Sequence, residues 1–337
     1  MISRRRVCVW LMLACASALG AQPVHHYVFF GQNPDRIRTD SAFLRSKTLE
    51  GAQVAYSWRQ LEPAKDRYDF GGIRSDLAFL RAHGKRLWVQ LQDVSFSPTR
   101  INVPLYLVEE PQFNGGADRQ YDWDGEDQQP RVEGWMARRW DPAVQARLYR
   151  LFDALGRDFD GRIEGINLAE TSFGVGTTGK LFPKGFSFDI YREAIIANMK
   201  ALKRAFPHSV AMVYANFMPG EWRPDEDKGY LRAVYDAAKQ SSVGVGGPDL
   251  LPFRPGQLGS SYPLIREASD VVPTGVAVQD GNIGDADRRT GKRMSIAELI
   301  DFATTYLKVD YIFWGTEEPY YSAEVVPLIS RAGPRPH

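Results

Sequence analysis

Eight short apolar runs, each followed by a longer amphipathic stretch, set what this chain can become. The runs cover residues 26–31, 52–58, 86–92, 163–168, 210–215, 243–246, 275–279 and 309–314 and are rich in β-branched and aromatic side chains. Helical patterns fill 41–48, 72–83, 142–159, 188–206, 227–240, 263–270, 296–306 and 323–331. The clearest of them repeats Ile190, Ala194, Ile195, Met199, Leu202 and Phe206 at helical spacing. Strand followed by helix, eight times over, predicts an α/β protein whose parallel strands close into a single (β/α)8 TIM barrel. The rival is a doubly wound open sheet. That fold places a Gly-rich turn after its first strand, and Phe29-Phe30-Gly31-Gln32-Asn33 has none. The longest interruption, 97–140 after the third strand, carries Tyr106, Tyr121, Trp123 and Trp135 among many Pro, Gly, Asn and Asp residues. A loop of that length and aromatic content is expected to be an ordered lid over one end of the barrel.

The first 21 residues stand apart from this period. Arg4, Arg5 and Arg6 precede an apolar run from Val7 to Ala14, and small residues suited to cleavage lie between Ala18 and Ala21. This is the layout of a secretory leader. The expected division is therefore 1–21 leader and 22–337 barrel, in a protein exported to the periplasm or secreted. A buried first strand is the alternative reading of the apolar run. Met12-Leu13-Ala14-Cys15 weakly resembles a lipoprotein cleavage site, so lipid anchoring is a lesser alternative. Both cysteines, Cys8 and Cys15, fall inside the leader, and its removal leaves a chain without thiols. Loss of the three arginines turns the formal net charge from +1 to −2. Such a balance offers nothing to nucleic acid or to an anionic membrane surface, and no second apolar run has the length of a membrane helix.

A barrel enzyme works at the C-terminal ends of its strands, so the residues where each apolar run stops are the informative ones. They are Gln32 and Asn33; Trp58, Arg59 and Glu62; Gln90, Gln92 and Asp93; Asn167, Glu170 and Thr171; Tyr214 and Asn216; Asp249; Gln279, Asp280 and Asn282; and Trp314, Glu317 and Glu318. Amides, carboxylates and flat rings in company suit sugars, whose hydroxyls take paired hydrogen bonds and whose ring faces stack on aromatics. The five histidines show no metal-ligand spacing, and Asp285-Ala286-Asp287 lacks the rest of a calcium loop. No Gly-x-Ser-x-Gly elbow occurs.

Val54-Ala55-Tyr56-Ser57-Trp58-Arg59-Gln60-Leu61-Glu62-Pro63, followed by Tyr68-Asp69-Phe70, resembles the second-strand signature of glycoside hydrolase clan A. Val103-Pro104-Leu105-Tyr106-Leu107 is similar to a segment found after the third strand in several of its families, and weaker matching spans 26–331. The resemblance implies a barrel glycosidase acting on a polysaccharide or oligosaccharide without a cofactor, with Glu170 in Gly165-Ile166-Asn167-Leu168-Ala169-Glu170-Thr171 as acid/base. The clan commonly has an adjacent Asn-Glu pair there; here Leu168 and Ala169 intervene. Its nucleophile is a Glu ending the seventh strand, where this chain has Gln279-Asp280. Asp280 or Glu317 is then the partner carboxylate, with Glu318 beside it. If there is none, the barrel binds glycan without cutting it, as part of an envelope or exopolysaccharide system. An envelope protein that offers the mouth to a protein partner is a third class. Substrate contacts are expected from Trp58, Arg59, Gln92, Asn167, Tyr214, Asn216, Asp249, Gln279, Trp314 and Glu318. Bland alternatives stand beside several of these readings: Trp314 as core, Arg59 as an ion-pair partner of Glu62, and Glu170 as a strand-end carboxylate paired with Arg or capping a loop.

Overall fold

The apolar runs pair side by side as parallel strands in the computed structural model, which describes residues 24–31, 33–122, 129–221 and 227–331. Eight of them close on themselves: β1 (His25–Phe29), β2 (Leu49–Ser57), β3 (Arg86–Gln92), β4 (Gly165–Leu168), β5 (Val210–Tyr214), β6 (Gly244–Gly247), β7 (Thr274–Val278) and β8 (Tyr311–Trp314). Each pairs with its sequence neighbours and β8 pairs with β1, which makes the (β/α)8 barrel. The expected leader with Cys8 and Cys15, Gln32 and Trp123 lie outside the described residues.

The main surrounding helices are α1 (Gly71–Ala82), α2 (Pro142–Phe159), α3 (Phe188–Ala205), α4 (Tyr230–Gln240) and α5 (Ser261–Ala268). Their starts follow local chemistry. Asp141 accepts the backbone N–H groups of Ala143 and Val144, with Pro142 at the first helical position where no N–H is needed. Ser187 accepts the N–H of Ile190 at the start of α3. The apolar faces of these helices and the outward side chains of the strands form one continuous core. Among the described residues no helix is long and apolar enough to cross a membrane.

Alternation along the strands divides outward from inward side chains. Tyr27, Trp88, Met212, Tyr214, Ala277, Tyr311 and Phe313 form a separate cluster inside the barrel. The large rings fit because glycines face them. A Cβ on Gly165 would lie 2.8 Å from the Trp88 ring, and one on Gly275 would lie 3.1 Å from Phe313. Above this layer Gln53 donates to Asn167 Oδ1 at 3.1 Å and to the Tyr214 hydroxyl at 2.8 Å, while Trp88 Nε1 donates to Asn167 Oδ1 at 2.9 Å. These side chains fill the interior below the C-terminal mouth.

Between β3 and α2 the chain folds rather than loops. Val94–Ser95, Ala117–Asp122 and Arg131–Ala137 make a three-stranded antiparallel sheet with the last strand in the middle. A Cβ on Gly134 would overlap the Ser95 carbonyl, so the close approach of these strands requires glycine there. Trp135 donates its indole N–H to Pro98 at 2.8 Å, and Tyr121 takes the Gly174 carbonyl through its backbone N–H. The excursion is stitched to the segment that follows β4.

Candidate active site

Glu170 reaches the mouth because β4 ends early. Asn167 faces inward, and then Leu168 and Ala169 both pack on the outer core, which breaks the alternation and turns Glu170 back over the barrel. Its Oε2 accepts Ser172 Oγ at 2.5 Å and Asn216 Nδ2 at 2.6 Å. Burial pushes its pKa above the usual carboxylate range. The two hydrogen bonds act in the opposite direction, the charge of Asp249 adds to the rise, and Arg139 opposes it. Asn216, one position beyond Ala215 on the inward side, leaves its Oδ1 buried without a hydrogen-bond partner among the described residues. A buried amide oxygen in that condition is a polar group still in need of a donor.

Asp249 follows β6 by two residues. Asn282 holds it, donating Nδ2 to Asp249 Oδ1 at 2.9 Å while its own Oδ1 accepts the N–H groups of Leu250 at 2.9 Å and Gln279 at 3.2 Å. Gln279 also hydrogen-bonds the Asp249 carboxylate, and Tyr262 on α5 donates to its backbone carbonyl at 3.2 Å. Burial raises the Asp249 pKa, and Asn282, Arg254 and Gln279 counter part of the rise.

Beneath Glu170 lies a residue that strand-end reading missed. Arg139 donates Nε and Nη2 to the two oxygens of Asp93 at 2.7 and 2.6 Å, and Nη1 to the Glu170 carbonyl at 2.7 Å and the Tyr191 hydroxyl at 3.2 Å. Tyr191 in turn donates to the Thr171 carbonyl at 3.0 Å. The pair joins β3, the antiparallel excursion, α3 and the Glu170 segment. The available cue was Arg138-Arg139-Trp140 just before the Asp141 cap, in a stretch with no period to place it.

The remaining candidates divide by face and depth. Asn216, Asp249 and Gln279 come together at the mouth. Gln92, half-buried, donates to Gln90 at 2.9 Å on the same rim. Asn167 and Tyr214 face inward but lie deeper, fully buried and bonded to Gln53, so they support the site and are not open to substrate. Trp58 is buried in a short helix, Trp58–Leu61, and donates Nε1 to Glu62 at 2.9 Å. Glu62 pairs with Arg147 of α2, and Arg59 is exposed. Trp314 sits one residue past inward-facing Phe313; it packs in the outer core and donates Nε1 to His26 at 3.1 Å. That one-residue step removes it as a stacking surface. Asp280 stands one past Gln279 and is exposed. Glu317 accepts the Gly281 N–H at 2.9 Å, and Glu318 accepts Ser322 Oγ at 2.6 Å and N–H at 3.2 Å, so both hold turns. Among the described residues no cluster of three metal-ligating side chains occurs.

The (β/α)8 barrel is a fold shared with solved enzymes. The catalytic domain of a beta-amylase from Paenibacillus polymyxa matches with a TM-score of 0.57 at 8% identity, over 87% of this chain and 92% of that one. Endo-glycoceramidase II from Rhodococcus sp. matches with a TM-score of 0.54 at 13% identity, over 91% and 78%. Xylanase 10B from Thermotoga maritima matches at 0.51 and 12% identity, over 87% and 83%. At these identities the likeness is one of fold. No protein-family model and no curated protein sequence matches the chain.

Proposed function

We propose that this barrel hydrolyses a glycosidic bond of an oligosaccharide or polysaccharide, with Glu170 as the proton donor to the leaving oxygen. The observation that carries the reading is the state of Glu170: a carboxyl at the mouth, raised in pKa by burial and held by Asn216 and Ser172. A carboxyl whose hold on its proton is strengthened by burial, and which can still lose it, is suited to general-acid work. The free Asn216 Oδ1 beside it supplies an acceptor for a sugar hydroxyl. The names of the fold's solved neighbours, a beta-amylase, a glycoceramidase and a xylanase, agree with sugar chemistry. The leader-like first residues support an exported site of action.

The test is incubation of the purified protein with a panel of glycans, followed by detection of new reducing ends and mass spectrometry of products. Wild type releases product, and Glu170→Gln lowers kcat about 1,000-fold, the scale of a lost general acid, while glycan binding by calorimetry persists. Full turnover in Glu170→Gln overturns the assignment. Binding by the wild type with no product over long incubation overturns the enzyme reading in favour of a glycan-binding barrel.

A further inference from the structure

We propose that Asp249 is the base that activates the attacking water, and that hydrolysis inverts the anomeric centre; this rests on the glycosidase reading of the same site. β4, β5 and β6 are consecutive in the barrel, with Leu168 paired to Val213 and Tyr214 to Gly246. Glu170 follows β4 by two residues, Asp249 follows β6 by two, and Asn216 from β5 stands between them with its amide on Glu170. Two lateral strand spacings separate the carboxylate-bearing backbones, about 10 Å. That span leaves room for water, as the roughly 6.5 to 9.5 Å of inverting enzymes does and the roughly 5 Å of a nucleophile's reach does not, and the Asp249 charge still bears on Glu170 across it.

The other acidic residues of the rim are committed to turns or stand exposed. Glu317 accepts the Gly281 N–H, Glu318 accepts from Ser322, and Asp280 is exposed, with its carboxylate beside Gly315 after β8. Asp249 is instead oriented by Asn282 and Gln279, two amides from the end of β7. The strand on which clan A enzymes carry their nucleophile here supplies the groups that aim a carboxylate from the strand before it. Burial gives Asp249 a greater hold on a proton than a free carboxylate has, which suits a base that must take one from water.

In the step, the water oxygen bonds to the anomeric carbon from the face opposite the leaving group while Asp249 takes the water proton. The carbon–oxygen bond breaks with its electron pair on the leaving oxygen, which receives the proton of Glu170. A hemiacetal of inverted configuration departs, and solvent returns a proton to Glu170 and removes one from Asp249.

Proton NMR of the first-formed anomer, on a glycoside that the wild type cleaves, is expected to show inversion. Asp249→Asn is expected to lower kcat about 1,000-fold with KM within about threefold, and to erase the acidic limb of the pH–rate profile; calorimetric glycan binding and circular dichroism verify that the variant is folded. Retention of configuration, or wild-type turnover by Asp249→Asn, overturns the proposal while leaving Glu170 in place. Loss of turnover in Asp280→Asn with Asp249→Asn unimpaired also overturns it. A wild type that cleaves no glycoside removes this proposal together with the reading beneath it.

Discussion

Glu170 is held in its site at a cost that a pH titration reads. Burial raises its pKa in the folded protein, so between the ordinary carboxylate range and the folded value the native state binds more protons than the unfolded chain. Stability contributed by this group is therefore present at low pH and lost as pH rises through that window. Glu170→Gln keeps the shape and removes the charge. We expect it to be more stable than wild type at neutral pH by about 1 kcal/mol, the scale of an active-site trade-off. The gain should vanish well below the ordinary carboxylate range, where both side chains are neutral. Thermal unfolding followed across pH checks this, and a wild type that is the more stable at neutral pH contradicts the raised pKa. Loss of catalysis and gain of stability in one variant separate a working residue from a structural one.

Among the elements, the stretch before α2 has the greatest hold on the site, because Arg139 donates two hydrogen bonds to Asp93 in a dry interior. Arg139→Met leaves Asp93 buried and unpaired, a change of about 3 to 5 kcal/mol in unfolding free energy measured by denaturant titration. It also frees the Glu170 carbonyl, so turnover falls further than stability alone explains. Eight strands and their helices were legible in the chain because apolar period and length mark a strand regardless of where it ends by a residue or two. The site was legible only in part, because the strand period is two and a single residue decides which way a side chain faces. Trp314 reads as a rim aromatic and is core for that reason, while Glu170 faces the mouth only because Leu168 and Ala169 break the alternation. Asp249 could be seen as a contact residue from its place after β6. Its tie to Asn282 and Gln279 needed the closed barrel, which brings strands seven and six together.

For the molecule as a whole, the filled interior sets both rigidity and the floor of the site. Gly165→Ala would push a methyl to within 2.8 Å of Trp88, whose indole N–H also fixes Asn167. We expect a loss of about 1 to 3 kcal/mol by chemical denaturation, the usual scale of overpacking, with the Gln53, Asn167 and Tyr214 layer disturbed above it. The same pairing of ring with glycine recurs where Tyr27 crosses Gly51 and Phe313 meets Gly275. Where Gly165 meets Trp88 and Gly275 meets Phe313, the glycine is the cast of a ring on a neighbouring strand, so neither member can change size on its own. Variation there must travel in couples, a larger residue arriving only as its neighbour shrinks, and a chain that drifts in sequence elsewhere would keep these matched volumes as its internal signature.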